Sequence, residues 1–326
     1  MSDFGPDTTT DDVLDGVDLS GRRVLVTGAS AGLGLETTRS LAAHGASIVL
    51  AVRDQDKGER AMATVRAQSP GADLELRLVD LGSLASIRAF ADGVLASHDH
   101  FDVLIANAGV MACPLACTTD GFELQFGTNH LGHFLLVELL APLLVAGAPS
   151  RLVVLSSAGH KRADIDLADP HWQHSPYDKW LAYGRAKTAN ILFATEFDRR
   201  YADRGVRAFA VHPGTIVTEL GRHLTPEDIA GLRARRPDTD STQGERPSGL
   251  LRWKSVEAGA ATTVWAATSP ALDGLGGRYL QDCGLAEADD DPDAEYGHRS
   301  YATDPERAAA LWSLSEQLVG LNRCAG

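Results

Sequence analysis

Residues 23–34 read RVLVTGASAGLG and run on into LETTRSLAAHG. Three apolar residues in succession, Val24, Leu25 and Val26, describe a strand covered on both faces, since a half-exposed strand alternates apolar with polar residues. The stretch after it has helical spacing and meets a stop signal at Gly45. Between strand and helix lie Gly28, Gly32 and Gly34, in a G-x-x-x-G-x-G pattern. Glycine lets a backbone turn tightly and come close to a pyrophosphate, which then sits at the positive end of the following helix. A glycine-rich turn can also be purely structural. One that follows an apolar strand and opens an amphipathic helix favours dinucleotide binding.

The same alternation repeats along the chain. SIVLAVR (47–53), LELRLVD (74–80), FDVLIANAG (101–109), RLVVLSS (151–157) and VRAFAVHPG (206–214) read as further buried strands with helical stretches between them, and GGRYLQD (276–282) as a last one. TDPERAAALWSLSEQLVGL closes the chain as an amphipathic helix, with Asp304 and Pro305 at its start. This order predicts an α/β fold: a single Rossmann-type, doubly wound parallel sheet with helices on both faces. Residues 1–16 read as a disordered acidic tail and 17–326 as one domain. Residues 221–252, which contain ARRPDTDSTQGERPSG, break the alternation and predict a helical substrate-loop insertion, a lid. Residues 287–294 read as a solvated acidic loop.

In doubly wound sheets, ligands bind beyond the carboxyl ends of the strands. Asp80 ends the third strand, where it could accept from an adenine amino group, and Asn107 ends the fourth, with Gly109 allowing close backbone approach. PGTIVT (213–218) follows the sixth strand and suits a nicotinamide carboxamide. Arg53 ends the second, where an Asp or Glu would bind the ribose 2′-hydroxyl of NAD.

LAYGRAKTAN (181–190) places Tyr183 and Lys187 four apart, on one face of a predicted helix. Such pairs are common on solvated faces. Beside a dinucleotide site, the pair instead reads as a phenol with a cation at hand to stabilise its phenolate; a free tyrosine, with a pKa of ~10, is a poor base at neutral pH.

The stretches TGASAGLG, AVRDQDKGE, SIRAFA, ANAGVM, DGFELQFGTNHLGHFLLVELL, LSSAGH, YGRAKTANILFATE, VHPG and GGRYLQDC, spread over residues 20–284, resemble the short-chain dehydrogenase/reductases, and within them the retinol dehydrogenase-like branch. The resemblance implies a catalytic tetrad. Tyr183 would be the general acid/base, Lys187 the ligand of the nicotinamide ribose, Ser157 the hydrogen-bond partner of the substrate oxygen, and Asn129 the holder of a relay water in a helix kink. It also implies a cofactor set of Gly28, Ser30, Gly32, Leu33, Gly34, Arg53, Asp80, Leu81, Asn107, Ala108, Gly109, Pro213, Gly214, Ile216 and Thr218, with Tyr183 and Lys187. Substrate contacts are expected from Met111, Ser157, His160, Tyr177 and Trp180, with Trp172 nearby. Arg53 implies NADP(H), with NAD(H) the alternative, because a guanidinium suits the 2′-phosphate. The activity implied is interconversion of an alcohol and a ketone or aldehyde, on a bulky apolar substrate. Two rivals are a cofactor-binding redox sensor or scaffold without turnover, and an extended-type epimerase. The epimerase usually carries T-G-x-x-G-x-x-G, whereas three residues separate Gly28 from Gly32 here.

Bulk properties narrow the partners. Over 326 residues the formal charge is −14, which argues against nucleic-acid and anionic-membrane partners. The acidic N-terminus lacks the pattern of a signal peptide, and the four cysteines are too few for a disulfide scaffold. A cytoplasmic enzyme acting on a small molecule, as a homodimer or homotetramer, is the expectation. Cys113 with Cys117 and His130 with His133 have no third ligand type at hand, so no metal is expected.

Overall fold

A computed structural model describes residues 4–234 and 253–321. A short helix α1 (Thr10–Leu14) precedes β1 (Arg23–Thr27), α2 (Gly32–Ala43), β2 (Ser47–Val52), α3 (Gln55–Gln68), β3 (Leu74–Leu78), α4 (Leu84–Ser97) and β4 (Val103–Ala106). Next come α5 (Leu124–Phe126), a π-helical turn (Gly127–Leu131) and α6 (Gly132–Ala146), joined end to end, and then β5 (Ser150–Leu155). A 3-10 turn (Ala158–Arg162), α7 (Lys179–Tyr201) and β6 (Val206–His212) follow. The chain continues through a second 3-10 turn (Glu219–His223), α8 (Pro226–Ala234), α9 (Val256–Thr268), β7 (Arg278–Gln281), β8 (Gly284–Leu285) and α10 (Pro305–Val319).

The strands form one sheet in the order β3-β2-β1-β4-β5-β6-β7-β8. All neighbours are parallel except β8, which runs antiparallel to β7. Strand side chains feed two cores, one per face. Leu25, Leu104, Leu152 and Val154 pack with α4, α6, α7 and α10, while Val24, Val26, Val153 and Leu155 pack with α1, α2, α3 and α9. The unbroken apolar runs of the sequence follow from this double coverage. The chain leaves β1 toward β2 on one side and returns to β4 on the other, which opens a crevice at the strands' carboxyl ends.

One expectation changes. From residue 4 onward the N-terminal tail is ordered. Thr9 and Asp12 form a capping box on α1, Val13 and Leu14 are buried, and Arg39 of α2 reaches both Asp11 and Glu36. Two apolar residues in an acidic stretch were enough to seat the helix beside α2 and α9. The acidic 287–294 loop is solvated as expected, with 287–293 exposed; hydrogen bonds to its carbonyls hold it in place, and part of it lines the crevice. Of the lid, the 3-10 turn and α8 are seen, and Asp228 of α8 accepts from Trp180 Nε1 at 3.2 Å; residues 235–252 lie outside the described residues. The helix Leu124–Ala146 is long and apolar enough to cross a membrane by length and composition, and 78% of its most apolar window is buried in the molecule. Its apolarity is that of a core element, with Phe134 packed between Phe193 and Trp312.

Candidate active site

The crevice has a volume of about 1280 Å³ and is lined by the β1–α2 turn, the ends of β2 to β7, the start of α7 and the 287–299 segment. Its floor is the glycine turn. Gly28 has φ +66° and Gly32 φ +53°, backbone conformations that favour glycine. A Cβ on Gly34 would lie 2.3 Å from the Gly28 carbonyl oxygen and 2.4 Å from Asn107 Nδ2, so the turn closes only around bare backbone. α2 is capped by Ala31, which offers no side-chain acceptor, whereas α3, α4, α7, α9 and α10 start on Asp54, Ser83, Asp178, Ser255 and Asp304, whose side chains accept from their first turns. The open N–H groups of α2 therefore face the crevice, a donor set matched to a phosphate.

A buried network ties this floor to the reacting end. Thr27 Oγ1 accepts from the amides of Asn107 (2.9 Å) and Ala108 (3.0 Å), which leaves its own proton for His133 Nε2 at 2.9 Å. The other ring nitrogen, Nδ1, then carries a proton and donates it to the Asn129 carbonyl at 3.0 Å. Burial holds His133 neutral, with its pKa lowered to about 4. Asn129 sits in the π-helical turn, and its amide is committed to Val110, accepting from the N–H at 2.8 Å and donating to the carbonyl at 2.9 Å.

Tyr183 and Lys187 lie in α7, both almost fully buried as residues yet lining the crevice. Burial pushes the Tyr183 phenol up to about 12, against a hydrogen bond from Ser157 that lowers it. Burial likewise lowers the Lys187 ammonium to about 8. Lys187 Nζ donates to the Leu155 carbonyl at 3.0 Å and lies 5.6 Å from the centroid of the Tyr183 ring. Desolvation thus dominates the phenol, and Ser157 is the group that opposes it in this geometry. Ser157 caps the 3-10 turn, its Oγ accepting from Gly159 N at 3.0 Å. Gly184 is set by close packing: a Cβ there would lie 2.8 Å from the Gly159 carbonyl oxygen. It lets α7 pack on the turn that carries Ser157.

The structure brings together every residue of the expected cofactor set along the crevice, and Met111, Ser157 and Trp180 of the substrate set with them. Two residues fall elsewhere. His160 is buried, with Nδ1 2.6 Å from the Ser157 carbonyl and Nε2 accepting from Arg299 N at 3.2 Å. Tyr177 donates to the Cys113 carbonyl and packs on Trp172. Both aromatics fill polar slots behind the site, and spacing alone could not show which way they point. Within the cofactor set, Asn107 turns its amide inward to the Thr27 carbonyl at 2.7 Å, so it braces the glycine turn. His130 is buried against Ser315 Oγ (2.8 Å) and lies apart from the crevice. Lys57, Lys161 and Lys254 line the crevice unanticipated. Lys254, its side chain 3% exposed, pairs with Asp282 at 2.6 Å, and the one sequence sign of it is that it follows the insertion directly.

A family model for the short chain dehydrogenase matches residues 22–228. The chain belongs to the short-chain dehydrogenase/reductase family. Retinol dehydrogenase 13 of Homo sapiens is 40% identical over 306 residues, covering 93% of this chain and 86% of that protein, and this likeness puts the chain in the retinol dehydrogenase-like branch. A crystal structure of an uncharacterised protein from Mycobacterium paratuberculosis is 36% identical with a TM-score of 0.71, over 96% of this chain and 98% of that one. A gluconate 5-dehydrogenase from Burkholderia cenocepacia, solved with NADP and tartrate, is 25% identical with a TM-score of 0.61, over 82% of this chain and 96% of its own. This short-chain dehydrogenase/reductase is an oxidoreductase that works with a nicotinamide dinucleotide.

Proposed function

We propose that the protein interconverts a bulky apolar alcohol and its ketone or aldehyde, with NADP(H) as the preferred dinucleotide. The observation that carries the reading is a buried phenol, Tyr183, hydrogen-bonded to Ser157 within the crevice whose floor is the bare glycine turn. The dinucleotide would be held by the α2 N-terminus and Gly28–Gly34 at its phosphates, by Asp80 and Leu81 at the adenine, by Lys187 at the nicotinamide ribose, and by Pro213–Thr218 at the carboxamide. Bound there, it supplies hydride transfer to or from the substrate carbon.

The chain's own residues manage the proton. Ser157 orients the substrate oxygen beside the phenol. In carbonyl reduction Tyr183 acts as the acid, and a phenol pushed up to about 12 is fully protonated at neutral pH. In alcohol oxidation it must ionise first, which the Lys187 ammonium assists. Proton supply runs past Asn129. Because its amide is committed to Val110, a relay water would sit on its carbonyl, which His133 shares.

The end of β2 supports the preference for NADP(H). Asp54 is spent as the cap of α3, its Oδ1 accepting from Lys57 N at 3.0 Å, and the Lys57 ammonium pairs with Glu219 at 2.8 Å, while the Arg53 side chain lies exposed on the same wall. Met111, Trp180, Leu220, Leu224 and Ile229 line the far end and suit an apolar substrate. The test is steady-state turnover of a panel of primary and secondary alcohols, aldehydes and ketones with each dinucleotide. Turnover of bulky apolar members, faster with NADP(H), is expected. Tight dinucleotide binding with no turnover across the panel would replace the enzyme by a redox sensor.

A further inference from the structure

The acidic segment 287–299 has little in its own sequence to fix it: three aspartates in a row, a proline, and no described secondary structure between Asp289 and Gly297 beyond turns and bends. It is nevertheless pinned at both ends and in the middle. At its base, Asp289 N donates to the His298 carbonyl at 2.7 Å and His298 N to the Glu287 carbonyl at 3.1 Å, closing a loop. Arg299 then reaches back into that loop and donates to the carbonyls of Asp289 (2.7 Å), Asp291 and Pro292 (3.2 Å).

The remaining span is held from across the crevice. Lys161 Nζ donates to the carbonyls of Ala294 (3.0 Å), Glu295 (3.2 Å) and Tyr296 (3.0 Å). An ammonium has three donors and no acceptor, so all of its hydrogen-bonding capacity goes to three consecutive peptide groups. Tyr296 adds a bond from its hydroxyl to the Gln281 carbonyl at 3.1 Å. Lys161 stands in the 3-10 turn that Ser157 caps, and Pro292, Asp293, Ala294, Glu295 and Tyr296 all line the crevice. The turn that carries the substrate-orienting serine thus also holds the opposite wall of the chamber.

We propose that the 292–296 segment is a fixed wall that selects the substrate, and that Lys161 is a specificity-determining positioning residue acting through the carbonyls of Ala294, Glu295 and Tyr296. This rests on the alcohol–carbonyl reading above. Any substrate seated on Ser157 meets a wall whose 294–296 span is held by three hydrogen bonds from one lysine side chain. Loss of that side chain frees three peptide groups to move while leaving the phenol, the serine and the glycine turn in place.

The test pairs amide hydrogen exchange of the loop with substrate selectivity, in Lys161→Met and Lys161→Arg. In Lys161→Met, exchange at residues 293–297 is expected to quicken by about tenfold or more. The ratio of kcat/KM between a bulky apolar alcohol and a small one should shift by at least about fivefold, through KM, with partial recovery in Lys161→Arg. Tyr296→Phe, which removes only the bond to Gln281, should move both readouts in the same direction by less, and it serves if Lys161→Met does not fold. A loosened loop with an unchanged selectivity ratio overturns the wall, and unchanged exchange overturns the clamp. A wild type that turns over nothing in the panel overturns the catalytic reading and this one together, and loop exchange that still quickens in Lys161→Met would show that the clamp was not the fault.

Discussion

Arg53 and Asp54 are neighbours of opposite charge at the end of β2, and choice of dinucleotide turns on which of them faces the ribose. In the structure the acid is taken by the helix it starts, since its carboxylate accepts from Lys57 N, whereas the guanidinium is exposed at the crevice. Arg53→Ala should therefore lower kcat/KM for NADP(H) by roughly ten- to a hundredfold, about 1.5–3 kcal/mol, with little change for NAD(H). An equal loss for both dinucleotides would place the choice elsewhere. Residues of this kind, set at strand ends, were legible in the sequence because position along the strand fixes location in the fold. His160 and Tyr177 were not. They stand close in sequence to Ser157 and Tyr183, but the side chains turn toward Ser157 O and Cys113 O, among partners distant in sequence such as Arg299 and Cys113.

At the scale of elements, the glycine turn is the sharpest case of geometry fixing sequence. A methyl group at position 34 would collide with backbone oxygen and the Asn107 amide, and neither is the free end of a flexible side chain. Gly34→Ala should cost about 1–3 kcal/mol of stability and abolish dinucleotide binding. Thermal unfolding with and without NADP(H) checks this, and a variant that is still stabilised by the dinucleotide like wild type contradicts it. Strands and helices of the sheet were read from the sequence within a few residues, because burial on both faces leaves an unmistakable apolar run. α1 was missed for the opposite reason. Its stretch is acidic, and Val13 and Leu14, which seat it, are too few to make an apolar pattern, while Arg39, which pairs with Asp11, is distant in sequence; so are Lys161 and Arg299, which hold the 287–294 loop.

Across the whole molecule, five histidines are buried among the described residues, and burial holds four of them far below the ordinary imidazole pKa. Burial lowers His130, His160 and His212 to about 3 and His133 to about 4. In the unfolded chain each titrates near 6.5, so below that pH the unfolded state binds protons that the folded state does not. Their contribution is complete above about pH 6.5 and is lost as pH falls toward the folded values, at up to about 1.4 kcal/mol per pH unit for each. The urea midpoint should hold steady above about pH 7 and drop steeply below about pH 6; a midpoint unchanged down to about pH 5 would show these histidines charged in the fold. At the crevice, Tyr183 is proposed to move the proton while the glycine turn and Lys187 hold the dinucleotide. The most direct measurement is Tyr183→Phe, with turnover and NADP(H) affinity determined on the same preparation. Loss of turnover by about 10²-fold or more with affinity within about threefold of wild type is the expected result. A phenylalanine variant that keeps more than about a third of wild-type turnover, with the dinucleotide bound as before, would contradict it.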